Sequence, residues 1–223
     1  MKRLEIIVEG QSEREFISQA LAPYLEKLGV IESYNVIPIT IRTSPNHRGG
    51  GSSYTHIRRE ILSSLHSKNP DLVVSMFIDF FRKPSNLPSC PAVSDMASDC
   101  DKAIVIEQCI SADIQDGRFV PYIQVHEFEA FLFASLAGFE YYFENSGEAY
   151  DRFSAIMSKY KNPEDINSSP SGAPSKRILD IIPGYDKVID GNLIILHNGI
   201  EAILNTCPRF RNWVDTLIQK CKE

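Results

Sequence analysis

Residues 4–13 read Leu4-Glu5-Ile6-Ile7-Val8-Glu9-Gly10-Gln11-Ser12-Glu13. An apolar run ends on a carboxylate and turns at a glycine. Beyond the turn, Phe16, Ile17, Ala20, Leu21 and Leu25 recur at helical spacing. The stretch therefore predicts a buried strand that feeds directly into a helix, with Ser12 as the expected cap. Open α/β sheets bind ligands beyond the carboxyl ends of their strands, and Glu9 stands at such an end. Whether it acts depends on which other acids share that edge.

Working outward, residues 3–8 form the first strand and 13–28 the first helix, which Gly29 ends. Tyr34 to Thr43 alternates as a second strand. A loop of small and turn-forming residues, Ser44 to Ser53, precedes a helix from Tyr54 to His66. Leu72 to Ile78 reads as a third, fully buried strand with Asp79 at its end. A Pro/Ser-rich connection over 82–93 is long enough to serve as a lid. A helix from Ser94 to Ile110 leads to a fourth strand, Phe119 to Val125. Strands alternating with helices predict an α/β fold, with a mostly parallel sheet carrying helices on both faces. After His126 the pattern turns helical, over Glu127–Ala137, Gly147–Tyr160, Lys176–Ile182, Asn192–Asn205 and Phe210–Lys222. We expect a single domain over 1–223: an α/β core at 1–137 and a helical C-terminal region at 138–223 packed on it.

No apolar run reaches the roughly 20 residues needed to cross a bilayer, and the opening strand carries charges that a signal peptide lacks. The expectation is a cytoplasmic protein. The five cysteines, 90, 100, 109, 207 and 221, form no Cys-x-x-Cys pair and read as reduced thiols. With 23 basic and 29 acidic side chains the net charge is −6. That excludes broad, nonspecific coating of nucleic acid, but not a nuclease whose metal-binding acids inflate the negative count. There is no Gly-x-Ser-x-Gly elbow, no dinucleotide fingerprint and no Walker sequence.

Three predicted strands end in acids: Glu9, Asp79, and Glu127 with Glu129. In a parallel sheet these ends share one edge, and carboxylates converging there suit Mg²⁺ or Mn²⁺. Glu13 lies four residues past Glu9 and can reach the same cation. Glu15 reads instead as the capping-box partner of Ser12. His126, beside Glu127-Phe128-Glu129, is placed either to bind metal or transfer a proton, or simply to hold the turn. Phe128, Phe131, Leu132 and Phe133 read as core. Arg48, ahead of Gly49-Gly50-Gly51, could present cation and backbone N–H groups to a phosphate. Lys176 and Arg177 follow Pro174-Ser175 in the first turn of a helix, where the dipole disfavours cations. A basic pair there points to an anionic partner, either the acid cluster or a phosphate.

The Val8-Glu9-Gly10-x-x-Glu13 turn resembles the glutamate motif of Toprim domains, and Ile78-Asp79-Phe80-Phe81 resembles their aspartate motif. His126-Glu127-Phe128-Glu129-Ala130, Pro174-Ser175-Lys176-Arg177 and Cys207-Pro208-Arg209-Phe210…Trp213 are similar to a bacterial domain-of-unknown-function family of the Toprim-like group. That group is distantly similar to the overcoming-lysogenisation-defect nucleases. The resemblance covers nearly the whole chain. It implies a Toprim-like fold and Mg²⁺-dependent phosphodiester chemistry on DNA or RNA. Glu9 would be acid/base or metal ligand and Asp79 a metal ligand. In a nuclease built this way, we expect Lys176 or Arg177 to neutralise the leaving side. The resemblance also implies an ATPase partner in a phage-defence setting. One departure stands out. Toprim domains carry Asp-x-Asp, and the second position here is Phe81. Either Glu127 or Glu129 replaces that acid, or the site serves binding only.

Overall fold

The structure is a computed structural model that describes residues 2–39, 53–80, 86–88, 90, 98–143, 147–166 and 172–223. Arg48, the glycines that follow it, and Phe81 lie outside the described residues. Four strands, β1 (Lys2–Val8), β2 (Ile31–Pro38), β3 (Leu72–Asp79) and β4 (Phe119–Gln124), form one sheet in the order β2-β1-β3-β4. Every neighbouring pair is parallel. The second strand starts three residues earlier than its alternation suggests, because Gly29, at φ 68°, ends the preceding helix tightly.

Side chains alternate across the strands and build two cores, one on each face. On the first face Leu4, Ile6 and Val8 of β1 join Phe77 of β3 and Tyr122 of β4. They pack under α1 (Gln11–Phe16), a π-helical stretch at Ile17–Leu21, and α2 (Ala22–Lys27). On the opposite face Ile7, Val74, Met76, Ile78 and Ile123 pack against α3 (Tyr54–Leu65) and α4 (Asp99–Ile114). The sheet is therefore covered on both sides, and its central strands β1 and β3 are buried along most of their length. From β1 the connections lead to β2 on one side and, through α3, to β3 on the other. The chain thus reverses direction between β1 and β3, and a crevice opens at their carboxyl ends.

The second half of the chain is α5 (Ala137–Tyr142), α6 (Gly147–Lys159), α7 (Pro174–Ile181), α8 (Asp190–Asn198), α9 (Ile200–Thr206) and α10 (Pro208–Lys222). It adds to the first core. Phe210 and Trp213 of α10 stack with Tyr122, Phe77, Phe16 and Phe131. Trp213 Nε1 donates to Ser75 Oγ at 3.0 Å, and Ser75 Oγ donates to the Val120 carbonyl at 2.6 Å. The expected long helix over Asn192–Asn205 is two helices, broken at Gly199, whose φ of 77° is left-handed. Glu127–Ala137 is not an α-helix either. Residues Phe128–Ala134 form a 3-10 segment buried on every side, so no amphipathic period exists to hold it in an α register.

Two further expectations are corrected. Ser12 does not cap α1. Gly10 does, in extended conformation, while Ser12 is buried inside the first turn and Glu15 instead accepts from Gln19. The cysteines are not all free. Cys90 and Cys109 form a disulfide with Cα atoms 5.7 Å apart, leaving Cys100, Cys207 and Cys221 as thiols.

Candidate functional site

The acids predicted at strand ends meet in the crevice between β1 and β3. Asp79 closes β3, and its Oδ1 accepts from the Phe128 N–H at 3.2 Å. This bond ties the exit of β3 to the segment that leaves β4. One residue on, Glu129 is turned inward by the 3-10 segment and is 3% exposed. Glu13 reaches in from the first turn of α1 and is 4% exposed. Its carboxylate lies back over Gly10, where a Cβ would stand 2.6 Å from Glu13 Oε2. Glycine at position 10 is therefore what lets Glu13 face the crevice. Glu9 is half-buried beside them, and its charge helps raise the Asp79 carboxyl.

At the centre of the three acids sits a residue the sequence did not single out. Lys187 Nζ is 3.1 Å from Glu13 Oε1, 3.3 Å from Glu129 Oε2 and 3.4 Å from Asp79 Oδ2. It also lies 5.4 Å from the centroid of the Phe128 ring. Lys187 is carried on the turn before α8. The Asp186 carboxylate accepts from the N–H groups of Val188 and Ile189, and Asp190 accepts from the Asp186 N–H. These bonds hold the turn rigid. Gly184-Tyr185-Asp186-Lys187 carries a turn signal but nothing to show that the lysine folds back across the sheet.

Burial pushes the Asp79 carboxyl well above the ordinary carboxylate range. Lys187 opposes that shift, while Glu13, Glu129 and Glu9 reinforce it. Burial likewise raises Glu129, again opposed by Lys187. For Lys187 burial works to lower the value, but the fields of Asp79, Glu129 and Glu13 outweigh it, and the ammonium is held charged. Three carboxyls around one ammonium leave an excess of two negative charges when all are ionised. The cluster is thus poised to take up protons or further cations.

The remaining predicted residues fall outside this centre. Glu127 Oε2 accepts from the Ser175 N–H at 3.1 Å and so caps α7. Its expected role as a metal ligand gives way to that of a helix cap, because the positive end of α7 arrives at its carboxylate. Arg177 turns away from the acids: its Nε donates to the Gly172 carbonyl at 2.7 Å and its Nη2 to Tyr160 Oη at 3.3 Å. Lys176 is exposed in a depression between α6 and α7, and among the described residues it makes no ion pair with the acids. His126 is buried in a left-handed conformation, φ 67°, with Nδ1 3.8 Å from Asp99 Oδ2. Burial lowers its pKa, against the raising effect of Asp99. It acts at the turn rather than among the three acids.

All three central acids offer hard oxygen donors, the chemistry of Mg²⁺ or Mn²⁺ sites. Tyr185 Oη is buried with no hydrogen-bond partner among the described residues, whereas Glu129 Oε2 faces the Lys187 ammonium. Among the described residues no group of three or more His, Cys, Asp or Glu side chains is set to hold a metal. The carboxylates are spread around an ammonium, and Mg²⁺ would hold oxygens at about 2.1 Å. As they stand, the three carboxylates converge on the Lys187 ammonium.

Fold and site together define a class: a parallel α/β protein with a buried cluster of acids at the point where the strand order reverses. The chain belongs to the family described as "Domain of unknown function (DUF4276)", whose model matches residues 8–218. Among solved structures it is similar to the C-terminal region of the Burkholderia pseudomallei OLD protein. The likeness is at 17% identity, covers 98% of each chain and has a TM-score of 0.48. No curated protein matches the chain. Among the described residues no helix is long and apolar enough to cross a membrane.

Proposed function

We infer that the chain is a metal-dependent phosphodiester hydrolase, a nuclease of Toprim-like type. The observation that carries this reading is the meeting of Glu13, Asp79 and Glu129 within 3.4 Å of one point, the Lys187 ammonium. Glu13, Asp79 and Glu129 would hold Mg²⁺ or Mn²⁺, and Glu9 beside them would take a proton from the attacking water. A bound cation of this kind supplies Lewis-acid activation of water and neutralises charge on the phosphate. Lys187, rather than Lys176, is the cation close enough to these acids to face a reacting phosphate. The Toprim-like motifs support the same chemistry. They also suggest nucleic acid as substrate, an ATPase as partner and a cytoplasmic setting in phage defence. The purified chain with Mg²⁺ or Mn²⁺ should cut DNA or RNA, and Glu13→Ala with Asp79→Ala should abolish the cutting. Equal cutting by wild type and double variant would sink the assignment.

A second reading is favoured by Lys187 itself. An ammonium already neutralising the acids suits a non-catalytic partner module in which the cation position is permanently filled. Calorimetry separates the two: no heat of Mg²⁺ or Mn²⁺ binding at millimolar concentration favours the partner module.

A further inference from the structure

The chain carries a net charge of −6, yet one face runs against that sign. From 152 to 161 and from 174 to 177 every charged residue is basic: Arg152, Lys159, Lys161, Lys176 and Arg177. The fold brings these two stretches together. A depression of about 480 Å³ between α6 and α7 is walled by Arg152, Ile156, Lys176 and Arg177, with one acid, Asp180, among its lining residues. Tyr160 joins the two helices: Lys159 Nζ lies 5.6 Å and the Arg177 guanidinium 5.3 Å from its ring centroid.

The five bases divide by role. Arg152 is paired with Asp180 at 2.6 Å, and Arg177 is bound to Gly172 and Tyr160. These two brace the helices. Lys159, Lys161 and Lys176 are exposed and make no ion pair among the described residues. Lys176 also sits in the first turn of α7, where the helix dipole works against a cation. The acid that compensates this helix start is Glu127, through the Ser175 N–H. Glu127 lies two residues from Glu129, so the same carboxylate anchors the basic face beside the acid cluster. Exposed, uncompensated cations held on braced helices are the footprint of a polyanion site.

We propose that this face, from Lys159 and Lys161 to Lys176, is the track on which the sugar-phosphate backbone of a nucleic-acid strand lies as it reaches the acid cluster. That the strand is then cut rests on the nuclease reading; that it binds does not. A labelled single-stranded oligonucleotide is titrated with the full chain in EDTA across a salt series, with fluorescence anisotropy as the readout. The logarithm of the binding constant should fall linearly with the logarithm of salt concentration. Lys159→Ala, Lys161→Ala and Lys176→Ala together should flatten that slope by about 2, at roughly 0.7 per lost phosphate contact on a single strand. Affinity at low salt should fall on the order of tenfold or more. Lys176→Glu alone, at an exposed position, should weaken binding in the same direction. Circular dichroism verifies that the variants are folded. Unchanged affinity and slope in the triple variant overturn the proposal, as does a wild type that binds polyglutamate more tightly than the oligonucleotide. Glu13→Gln with Asp79→Asn should lose cutting and keep the wild-type salt slope. Salt-dependent binding by a wild type that never cuts keeps the track and discards the nuclease.

Discussion

Lys187 controls the site's electrostatics, and its removal tests them. In Lys187→Met three buried carboxyls lose their shared counter-ion, a change that costs about 3 kcal/mol when a buried pair is broken. The melting temperature should drop at neutral pH and recover when millimolar Mg²⁺ is added, as thermal denaturation with and without the cation measures. No recovery at any Mg²⁺ concentration would remove the acids from consideration as a cation site. Asp79→Asn should act in the opposite direction. Burial raises Asp79 above its ordinary 3.8 and Glu129 above 4.5. A carboxyl raised on folding gives stability that is complete below its unfolded value and is lost as pH climbs through the folded one. Asp79→Asn has no such loss, so it should melt higher than wild type at neutral pH. The gain should shrink toward pH 4, at about 2–4 °C for each kcal/mol relieved. A variant that melts lower than wild type at every pH would show that the Asp79 charge stabilises the fold.

At the scale of elements, the connection from β3 to α4 is tied by the Cys90–Cys109 disulfide across a separation of 19 residues. Closing a loop of that length constrains the unfolded chain by about 3 kcal/mol. Thiol counting under denaturing, non-reducing conditions should find three free cysteines, and reduction should lower the denaturant midpoint. Five reactive thiols would refute the bond. The disulfide could not be read from spacing, because Cys90 and Cys109 carry no Cys-x-x-Cys signature and their pairing depends on tertiary folding. The strands were legible for the opposite reason. β1 and β3 are buried on both faces, so their sequences are mostly apolar, and an acid follows or closes each: Glu9 after β1 and Asp79 at the end of β3. That rule points to Glu9 and Asp79, while Glu13 follows from its spacing of four residues past Glu9 and Glu129 from the acids after the fourth strand. Glu127, equally acidic and equally near a strand end, was not separable from Glu129 by sequence. Which of the two turns inward depends on the 3-10 segment, and that segment depends on packing. The pair Lys176-Arg177 was rightly marked as anomalous, since a cation in a first turn opposes the dipole. Neither residue pairs with the three acids of the centre among the described residues, and Glu127 instead caps the helix start through the Ser175 N–H.

At the scale of the whole molecule, the two halves of the chain share one core and one site. Phe210 and Trp213 complete the aromatic cluster under Phe77 and Tyr122. A hydrogen-bond relay from Trp213 through Ser75 to Val120 fixes α10 to the middle of the sheet. Buried Glu164 accepts from the Arg209 and Phe210 N–H groups, so it also holds the start of α10. Lys187, which completes the acid cluster, comes from the second half as well. A fragment ending at residue 137 would therefore uncover Phe77 and Tyr122 where Phe210 and Trp213 pack on them and lose the counter-ion of its acids. Burying each such side chain is worth about 1.5–3 kcal/mol, so their joint exposure removes a large part of the roughly 5–15 kcal/mol that holds a whole domain folded. The fragment should stay unfolded by circular dichroism. The intact chain should melt as one unit, and its single tryptophan makes this measurable. Fluorescence of Trp213 reports only the docking of α10 on the sheet, whereas far-ultraviolet circular dichroism reports every helix. Coincident transitions by the two probes are expected. If the tryptophan signal changed at a lower temperature than the dichroism, α10 would undock from a sheet that stands without it, and the shared core would not be what keeps Lys187 among the acids.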